Sequence, residues 1–195
     1  MNPKLPTPDH DILPVLSQRW SPYAWASTPV ADADLYALFE AARWAPSAFN
    51  EQPWQFVVAR QGDDLHATLL DCLVEPNRVW AQNAPVLVLN LVRQSLAATG
   101  QPNRCAEHDL GLAVGNLLAQ ATHLGLSAHQ MAGILPDVAR ERLALPEGTV
   151  AVTAMVIGYA GQASSLPEAL AARDTAPRQR KPIDQFVSGA VGAAR

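Results

Sequence analysis

The sequence is short of cysteine, of charge and of long apolar runs, and each shortage excludes a class of protein. Among its 195 residues are two cysteines, Cys72 and Cys105, which form no CxxC pair, so neither a disulfide framework nor a zinc site is expected. Charged residues make up 16% and the formal net charge is −4, which gives nucleic-acid binding no support. The apolar run 84–92 is too short to span a bilayer, and the polar start of the chain does not resemble a secretory signal. We therefore expect a cytoplasmic protein that binds no metal, nucleic acid or membrane.

Apolar residues are plentiful, and their spacing predicts helices. They make up 49% of the chain, enough to form a core, so we expect residues 1–195 to fold as a single domain. Apolar residues recur at i, i+3, i+4 and i+7 from Leu35 to Ala42, which predicts a helix that Pro46 stops. Similar spacing predicts the longest helix over residues 106–124, and shorter helices near 12–18, 65–73 and after Pro136.

Three β-branched and apolar segments predict strands, at residues 55–60, 85–92 and 149–159. The second is a continuous apolar run, which is typical of a strand buried on both faces. This pattern leaves mixed α/β and α+β folds both open, because it does not give the direction of the strands. The last 35 residues lose apolar periodicity, so they form no core of their own and must lie against something else if they are ordered.

The most informative polar stretch, Ala45–Trp54, falls between a predicted helix and a predicted strand. Its two prolines fix the backbone, while Ser47, Asn50 and Gln52 offer hydrogen-bonding groups. Asn and Gln both donate and accept, which suits a flat heterocycle. The alternative interpretation is a rigid connecting loop with polar side chains.

Three further stretches carry residue types that bind ligands. Arg19 and Ser21 could both reach a phosphate, and Arg178 and Arg180 lie in the only dense basic cluster of the chain. In the stretch from His129 to Gly133, small residues would allow a flat ligand to approach the backbone. Taken singly, these stretches are also typical of solvated surface arginines, a basic tail and a tight turn.

Together these stretches resemble the nitroreductase family of FMN-dependent oxidoreductases over roughly residues 15–185. The resemblance rests on R-x-S at Arg19, on A-P-S-x-x-N-x-Q-P-W from Ala45, and on the closing R-x-R-x-P from Arg178. Asn77, Asp109-Leu110-Gly111 and Met131-Ala132-Gly133 agree with the family in order and spacing. The resemblance implies an α+β fold with a central, mainly antiparallel sheet flanked by helices. It also implies an intertwined homodimer whose C-terminal tail, about 161–195, wraps the partner subunit.

The resemblance also implies which residues hold FMN. Arg19, Ser21, Arg178 and Arg180 would hold its phosphate and ribityl chain, and Asn77 the pyrimidine edge of its ring. Residues 130–133 would run along the flavin, with a backbone N–H near N5 or O4. Pro46, Ser47, Ala48 and Asn50 would line the flavin bound mainly by the other subunit. The full set expected to bind cofactor is Arg19, Trp20, Ser21, Tyr23, Pro46, Ser47, Ala48, Asn50, Asn77, Trp80, Gln130, Met131, Ala132, Gly133, Arg178 and Arg180.

The chain departs from the family pattern at positions that usually or sometimes carry positive charge. Tyr23 and Trp20 stand where basic residues are usual, and Trp80 stands where some members have a lysine facing the ring. FMN binding is compatible with these changes, because the phosphate contacts and the backbone remain. No side chain is expected to be catalytic, since the flavin performs the redox chemistry.

The function implied is transfer of hydride from NADH or NADPH through FMN to a nitroaromatic, a quinone or a related acceptor, in a ping-pong reaction. Two alternatives remain within flavin chemistry: oxygen-dependent cleavage of flavin, and reductive dehalogenation. A third is a non-catalytic protein that binds or sequesters FMN. The loop 93–104 carries no motif that separates these possibilities.

Overall fold

Four strands form one antiparallel sheet at the centre of the molecule. The computed structural model describes Lys4, Pro6 and residues 8–189. Its strands are β1 (Trp54–Arg60), β2 (Val86–Arg93), β3 (Ser127–Met131) and β4 (Thr149–Gly158). Their order is β1-β2-β4-β3, and each neighbouring pair is antiparallel. The α+β fold with an antiparallel sheet is thereby confirmed, with one strand more than the pattern predicted.

Seven helices surround the sheet in the part of the chain that the structure describes. The predicted helices are present, but α4 and α7 were not predicted. The helices are α1 (Pro14–Gln18), α2 (Asp32–Arg43), α3 (Asp64–Asp71), α4 (Glu75–Ala81), α5 (Ala106–His123), α6 (Pro136–Arg142) and α7 (Glu168–Thr175).

The strand β2 separates two apolar layers, as its unbroken apolar run predicts. Val86 and Val88 pack in a core with residues of α2 and α5, whereas Leu87 and Leu89 pack in a second core with residues of α3, α4 and α6. Burying each such side chain contributes about 1.5–3 kcal/mol. The sheet is therefore fixed from both sides, and its edge strand β3 becomes a rigid support for the site described below.

The C-terminal segment contacts the chain's own N-terminal segment through hydrogen bonds. Asp174 of α7 accepts the backbone N–H of Tyr23, and Arg178 donates to the carbonyls of Ser17 and Arg19. That the tail also wraps a partner subunit stays a prediction, and its last residues, 190–195, lie outside the described residues.

Several large apolar side chains lie on the surface. Phe49 is 89% exposed and Trp44 is 74% exposed. Among the helices that the structure describes, none is long and apolar enough to cross a membrane.

Candidate cofactor site

Three arginines from the two ends of the chain form one cationic cluster. Burial lowers the pKa of Arg19, and the charge of Arg180 lowers it further. Burial also lowers the pKa of Arg178, with Arg180 and Arg19 as further causes. In the described ranges, none of the three forms an ion pair with a carboxylate. Mutual repulsion without a counter-charge is unfavourable in a partly desolvated site, so the cluster is suited to an anion.

The three guanidinium groups differ in their hydrogen bonds and in their exposure. Arg178 directs Nη1 to the carbonyl of Arg19 at 2.5 Å and Nη2 to that of Ser17 at 2.7 Å. Its buried Nε has no hydrogen-bond partner among the residues described. Arg19 donates through Nη1 to Ser21 Oγ at 3.1 Å, while Arg180 is exposed. Arg178 therefore holds the segment that follows α1, whereas Arg19 and Arg180 each donate one hydrogen bond to a nearby residue.

The loop between α2 and β1 is held in an unusual backbone conformation. Phe49, Asn50 and Gln52 have φ values of 54°, 56° and 45°, a left-handed region that costs about 1–3 kcal/mol for each non-glycine residue. Ser47 Oγ accepts the N–H of Gln52 at 3.0 Å, and the Gln52 amide donates to the Asn50 carbonyl at 3.2 Å. Such strain is typical of binding loops. Here it leaves Pro46 and Asn50 exposed and Ser47 and Ala48 half-buried.

A carboxylate that sequence reasoning did not assign to the site holds this loop in place. Asp109 of α5 is 2% exposed, and its Oδ2 accepts the N–H of Ala48 at 2.9 Å. The neighbouring His108 contacts its other oxygen, Oδ1, at 3.0 Å. The available signal was an acidic residue beside Leu110, on the apolar face of a predicted helix.

Two predicted residues, Asn77 and Gly133, lie in direct contact. Asn77 Nδ2 donates to the carbonyl of Gly133 at 3.0 Å, and the N–H of Val74 donates to the same oxygen at 3.1 Å. A Cβ at position 133 would lie 2.5 Å from Asn77 Nδ2 and 2.7 Å from Val74 Cγ2. Glycine is required here because α4 approaches the end of β3 so closely. This bond to Gly133 fixes Nδ2 of Asn77 and leaves the side-chain oxygen as its acceptor group.

Two aromatic residues expected to bind the cofactor contact each other. The rings of Tyr23 and Trp80 lie 5.1 Å apart at 82°, and His129 packs against both. Trp80 is 2% exposed, so its ring contacts other side chains rather than open space. Tyr23 and Trp80 are therefore parts of one aromatic cluster with His129, and Trp20 is not among its members.

His129 connects strand β3 with the segment that carries Arg19. Its Nδ1 donates to the carbonyl of Pro22 at 2.9 Å, and its pKa is lowered mainly by burial, with the charge of Arg19 as a smaller cause. The structure thus brings residues 19–23, 77 and 129–133 into one region. Within it, Gln130 and Ala132 are exposed, Trp20 and Gly133 are half-buried and Met131 is buried. The described residues contain no group of acidic, cysteine or histidine side chains arranged to hold a metal.

Comparison with known proteins identifies the family. The sequence profile of the nitroreductase family matches residues 16–79 and 72–159, and the chain belongs to this family of oxidoreductases. It is 30% identical over 166 residues to a protein of Rhodopseudomonas palustris (strain TIE-1), covering 76% of this chain and 83% of that protein. The name of that relative assigns it provisionally to the NADH dehydrogenase/NAD(P)H nitroreductases.

Solved structures agree with this assignment. A crystal structure of an oxidoreductase containing FMN is 33% identical, with a TM-score of 0.88 over 94% of both chains. A nitroreductase from Desulfovibrio desulfuricans, solved in complex with FMN and so far named only provisionally, is 25% identical. Its TM-score is 0.71, over 91% of this chain and 96% of that chain.

Proposed function

We propose that the protein binds FMN and, as a nitroreductase-type enzyme, transfers electrons from NADH or NADPH to nitroaromatic, quinone or related acceptors. The observation that carries the proposal is the cluster of Arg19, Arg178 and Arg180, which repel one another and pair with no carboxylate in the described part of the chain. A phosphate group would supply the missing negative charge. The relative that contains FMN supports the choice of ligand.

The chain's residues fit the two ends of FMN. Arg19 and Arg180 would contact the phosphate, and Arg178 would add its charge and hold the carbonyls of Ser17 and Arg19 in place. At the ring end, Asn77 would offer its amide oxygen to the pyrimidine edge, and residues 130–133 would lie along the ring. Trp80 and Met131, both buried, would support the site from behind.

Bound FMN supplies the two-electron redox chemistry, and the protein binds and orients it. Gln130 and Ala132, in the segment 130–133, are exposed, so a flat donor or acceptor would approach the cofactor from this side. No side chain is assigned as a general acid. This arrangement suits alternate use of one slot by the nucleotide and the acceptor.

We further propose that two copies of the chain complete each site. The loop with Ser47, Ala48 and Asn50 is held by hydrogen bonds but lies at the surface; it contains the exposed Phe49, and the exposed Trp44 precedes it. A homodimer would bury these apolar side chains and place the loop against the partner's cofactor. Light scattering should then give twice the chain mass of 20.9 kDa, whereas a flavin-loaded monomer would refute the dimer.

The decisive experiment is anaerobic reduction of the purified yellow protein with NADH and with NADPH. Bleaching of the flavin absorbance, followed by its return on adding a nitroaromatic or a quinone, is the expected result. Unchanged flavin with both nucleotides would favour a non-catalytic FMN-binding protein, and colourless protein that takes up no FMN would refute the proposal. Loss of the flavin spectrum in air, or release of halide from a halogenated aromatic, would favour the flavin-cleaving or dehalogenating alternative.

A further inference from the structure

One peptide unit, between Pro22 and Tyr23, is held at both of its polar groups by side chains. Its carbonyl oxygen accepts from His129 Nδ1 at 2.9 Å, and its N–H donates to Asp174 Oδ1 at 2.6 Å. His129 lies on β3, and Asp174 lies on α7. The peptide unit therefore bridges the edge strand of the sheet and the C-terminal helix.

Both side chains that hold this peptide are fixed by their surroundings. Asp174 is 4% exposed. The imidazole of His129 lies 4.4 Å from the Trp80 ring at an angle of 31° and 4.6 Å from the Tyr23 ring at 68°. Because a carbonyl oxygen can only accept, Nδ1 of His129 carries the hydrogen. His129, Asp174 and the peptide unit that they hold are here called the clamp. Its geometry is defined by these contacts.

Each side of the clamp leads to a different end of the cofactor site. The chain runs from α7 directly to Arg178 and Arg180, and from His129 along β3 to Gly133. The clamped peptide itself follows Arg19 and Ser21. The position of this peptide therefore determines how far the arginine cluster lies from β3, the strand that would lie along the flavin ring.

We propose that His129 and Asp174 are positioning residues that fix the distance between the phosphate-binding arginines and the ring-binding strand. The inference rests on the proposed FMN site but goes beyond it, because neither side chain needs to touch the cofactor. FMN must satisfy both ends at once, whereas riboflavin lacks the phosphate and depends on the ring end alone. A misplaced clamp should therefore penalise FMN selectively.

The test compares the affinities of the full-length, cofactor-free protein for FMN and riboflavin, measured by titration of flavin fluorescence. Asp174→Ala removes the acceptor, whereas Asp174→Asn keeps an oxygen for the Tyr23 N–H. His129→Phe keeps an aromatic ring but no donor, whereas His129→Asn keeps an N–H close to the position of Nδ1. We expect the Ala and Phe variants to bind FMN about tenfold more weakly and riboflavin within about twofold of wild type. The two Asn variants should retain most of the FMN affinity.

A merely structural role would weaken both flavins to the same extent. Equal losses for FMN and riboflavin, or an unchanged ratio of the two affinities in the Ala and Phe variants, would overturn the proposal. If Asp174→Ala fails to fold, His129→Phe and its Asn partner decide the question in the same way.

A second readout needs no cofactor. Amide hydrogen exchange at Tyr23 should accelerate in Asp174→Ala and stay slow in Asp174→Asn; equal rates in both variants would overturn the clamp. If wild type does not prefer FMN to riboflavin, the proposed function fails, while the exchange experiment still tests the clamp separately.

Discussion

Asp109 and Ala48 are joined by a hydrogen bond of 2.9 Å between a buried carboxylate and a backbone N–H. This bond fastens the strained loop after α2 to the first turns of α5. The loop can keep its left-handed residues because the surrounding contacts hold it, as such strain requires. The longest helix of the molecule thus positions residues that would line a cofactor.

Removing this carboxylate should destabilise the fold. In Asp109→Leu the N–H of Ala48 loses its acceptor, and an unsatisfied, partly buried N–H costs about 1–3 kcal/mol. Asp109→Asn keeps an acceptor oxygen and should cost less. Urea unfolding measures both, with His108→Ala as the control, because that exposed side chain should contribute less than about 1 kcal/mol. Equal stability of the Leu variant and wild type would contradict this role.

Removing an arginine of the cluster should weaken the binding of FMN, which has a phosphate, but not that of riboflavin, which has none. Arg180→Ala and Arg19→Ala each remove a charge-assisted contact worth about 1.5–3 kcal/mol, so FMN should bind about tenfold more weakly or worse. Riboflavin affinity should be nearly unchanged. Arg140→Ala, at an exposed position on α6, is the charge-matched control and should leave both affinities intact. Retention of full flavin by both cluster variants through gel filtration would refute the assignment.

Gly133→Ala tests the close approach of α4 to the end of β3. The new Cβ would lie 2.5 Å from Asn77 Nδ2, so Asn77 must move, at a cost of about 1–3 kcal/mol. We expect lower stability and weaker binding of both FMN and riboflavin, because the ring end is displaced. Gly111→Ala is the control, since a Cβ there meets no atom within 4 Å. A Gly133→Ala protein as stable as wild type would show that the neighbouring helix yields easily.

Strong periodicity made some elements predictable, and its absence hid others. The apolar run of β2 and the regular spacing in α2 and α5 predict those elements directly. Strand β3 escaped prediction because it has five residues, with the polar His129 and Gln130 in its middle. Its extended form is fixed by pairing with β4, which a local pattern does not contain. Helix α4 begins with Glu75 and Pro76 and has too few apolar positions to show a period.

In the candidate site, too, some residues could be predicted from the sequence and others could not. Residues of the expected ligand-binding types were identified from the motif, whereas the residues that hold them were not. Each of three such residues contacts a distant segment of the chain: Asp109 at a separation of 61 residues, His129 at 107 and Asp174 at 151. Such contacts depend on tertiary packing, so the sequence can mark Asp109 and His129 as unusual but does not give the residues that they contact.

Glu40 should titrate at an unusually low pH. Two hydrogen bonds from Arg43 and one from Trp44 lower its pKa from 4.5 to about 2, with Arg43 as the main cause. A lowered pKa in the folded state stabilises the fold above pH 4.5, and this contribution is lost as the pH falls towards 2. The effect should be small, because the pair is exposed and screened by salt.

Carbon NMR titration of the Glu40 carboxyl group measures this directly. The midpoint should lie near 2 in wild type and rise in Arg43→Ala, which removes the main cause. Molar salt should also raise it. A wild-type midpoint near 4.5 would show that the ion pair does not persist in solution.

Tyr23 and Trp80 should be energetically coupled, because their rings meet edge to face at 5.1 Å. An aromatic pair of this geometry contributes about 0.5–1.5 kcal/mol beyond the area it buries. A double-mutant cycle with Tyr23→Leu and Trp80→Leu, followed by urea unfolding, should give a coupling energy in that range. Trp80→Leu alone should be costly, since Trp80 is almost fully buried and a smaller side chain leaves a cavity.

The control for this cycle pairs Tyr23→Leu with Phe39→Leu, because Phe39 packs in the core on the other face of the sheet. Distant sites should be additive to within about 0.5 kcal/mol. If the Tyr23 and Trp80 substitutions are equally additive, the edge-to-face contact contributes no measurable coupling energy. If they are coupled, introducing a basic residue at position 23, as in Tyr23→Arg, should destabilise the fold, because it disrupts the aromatic cluster while Trp80 remains in place.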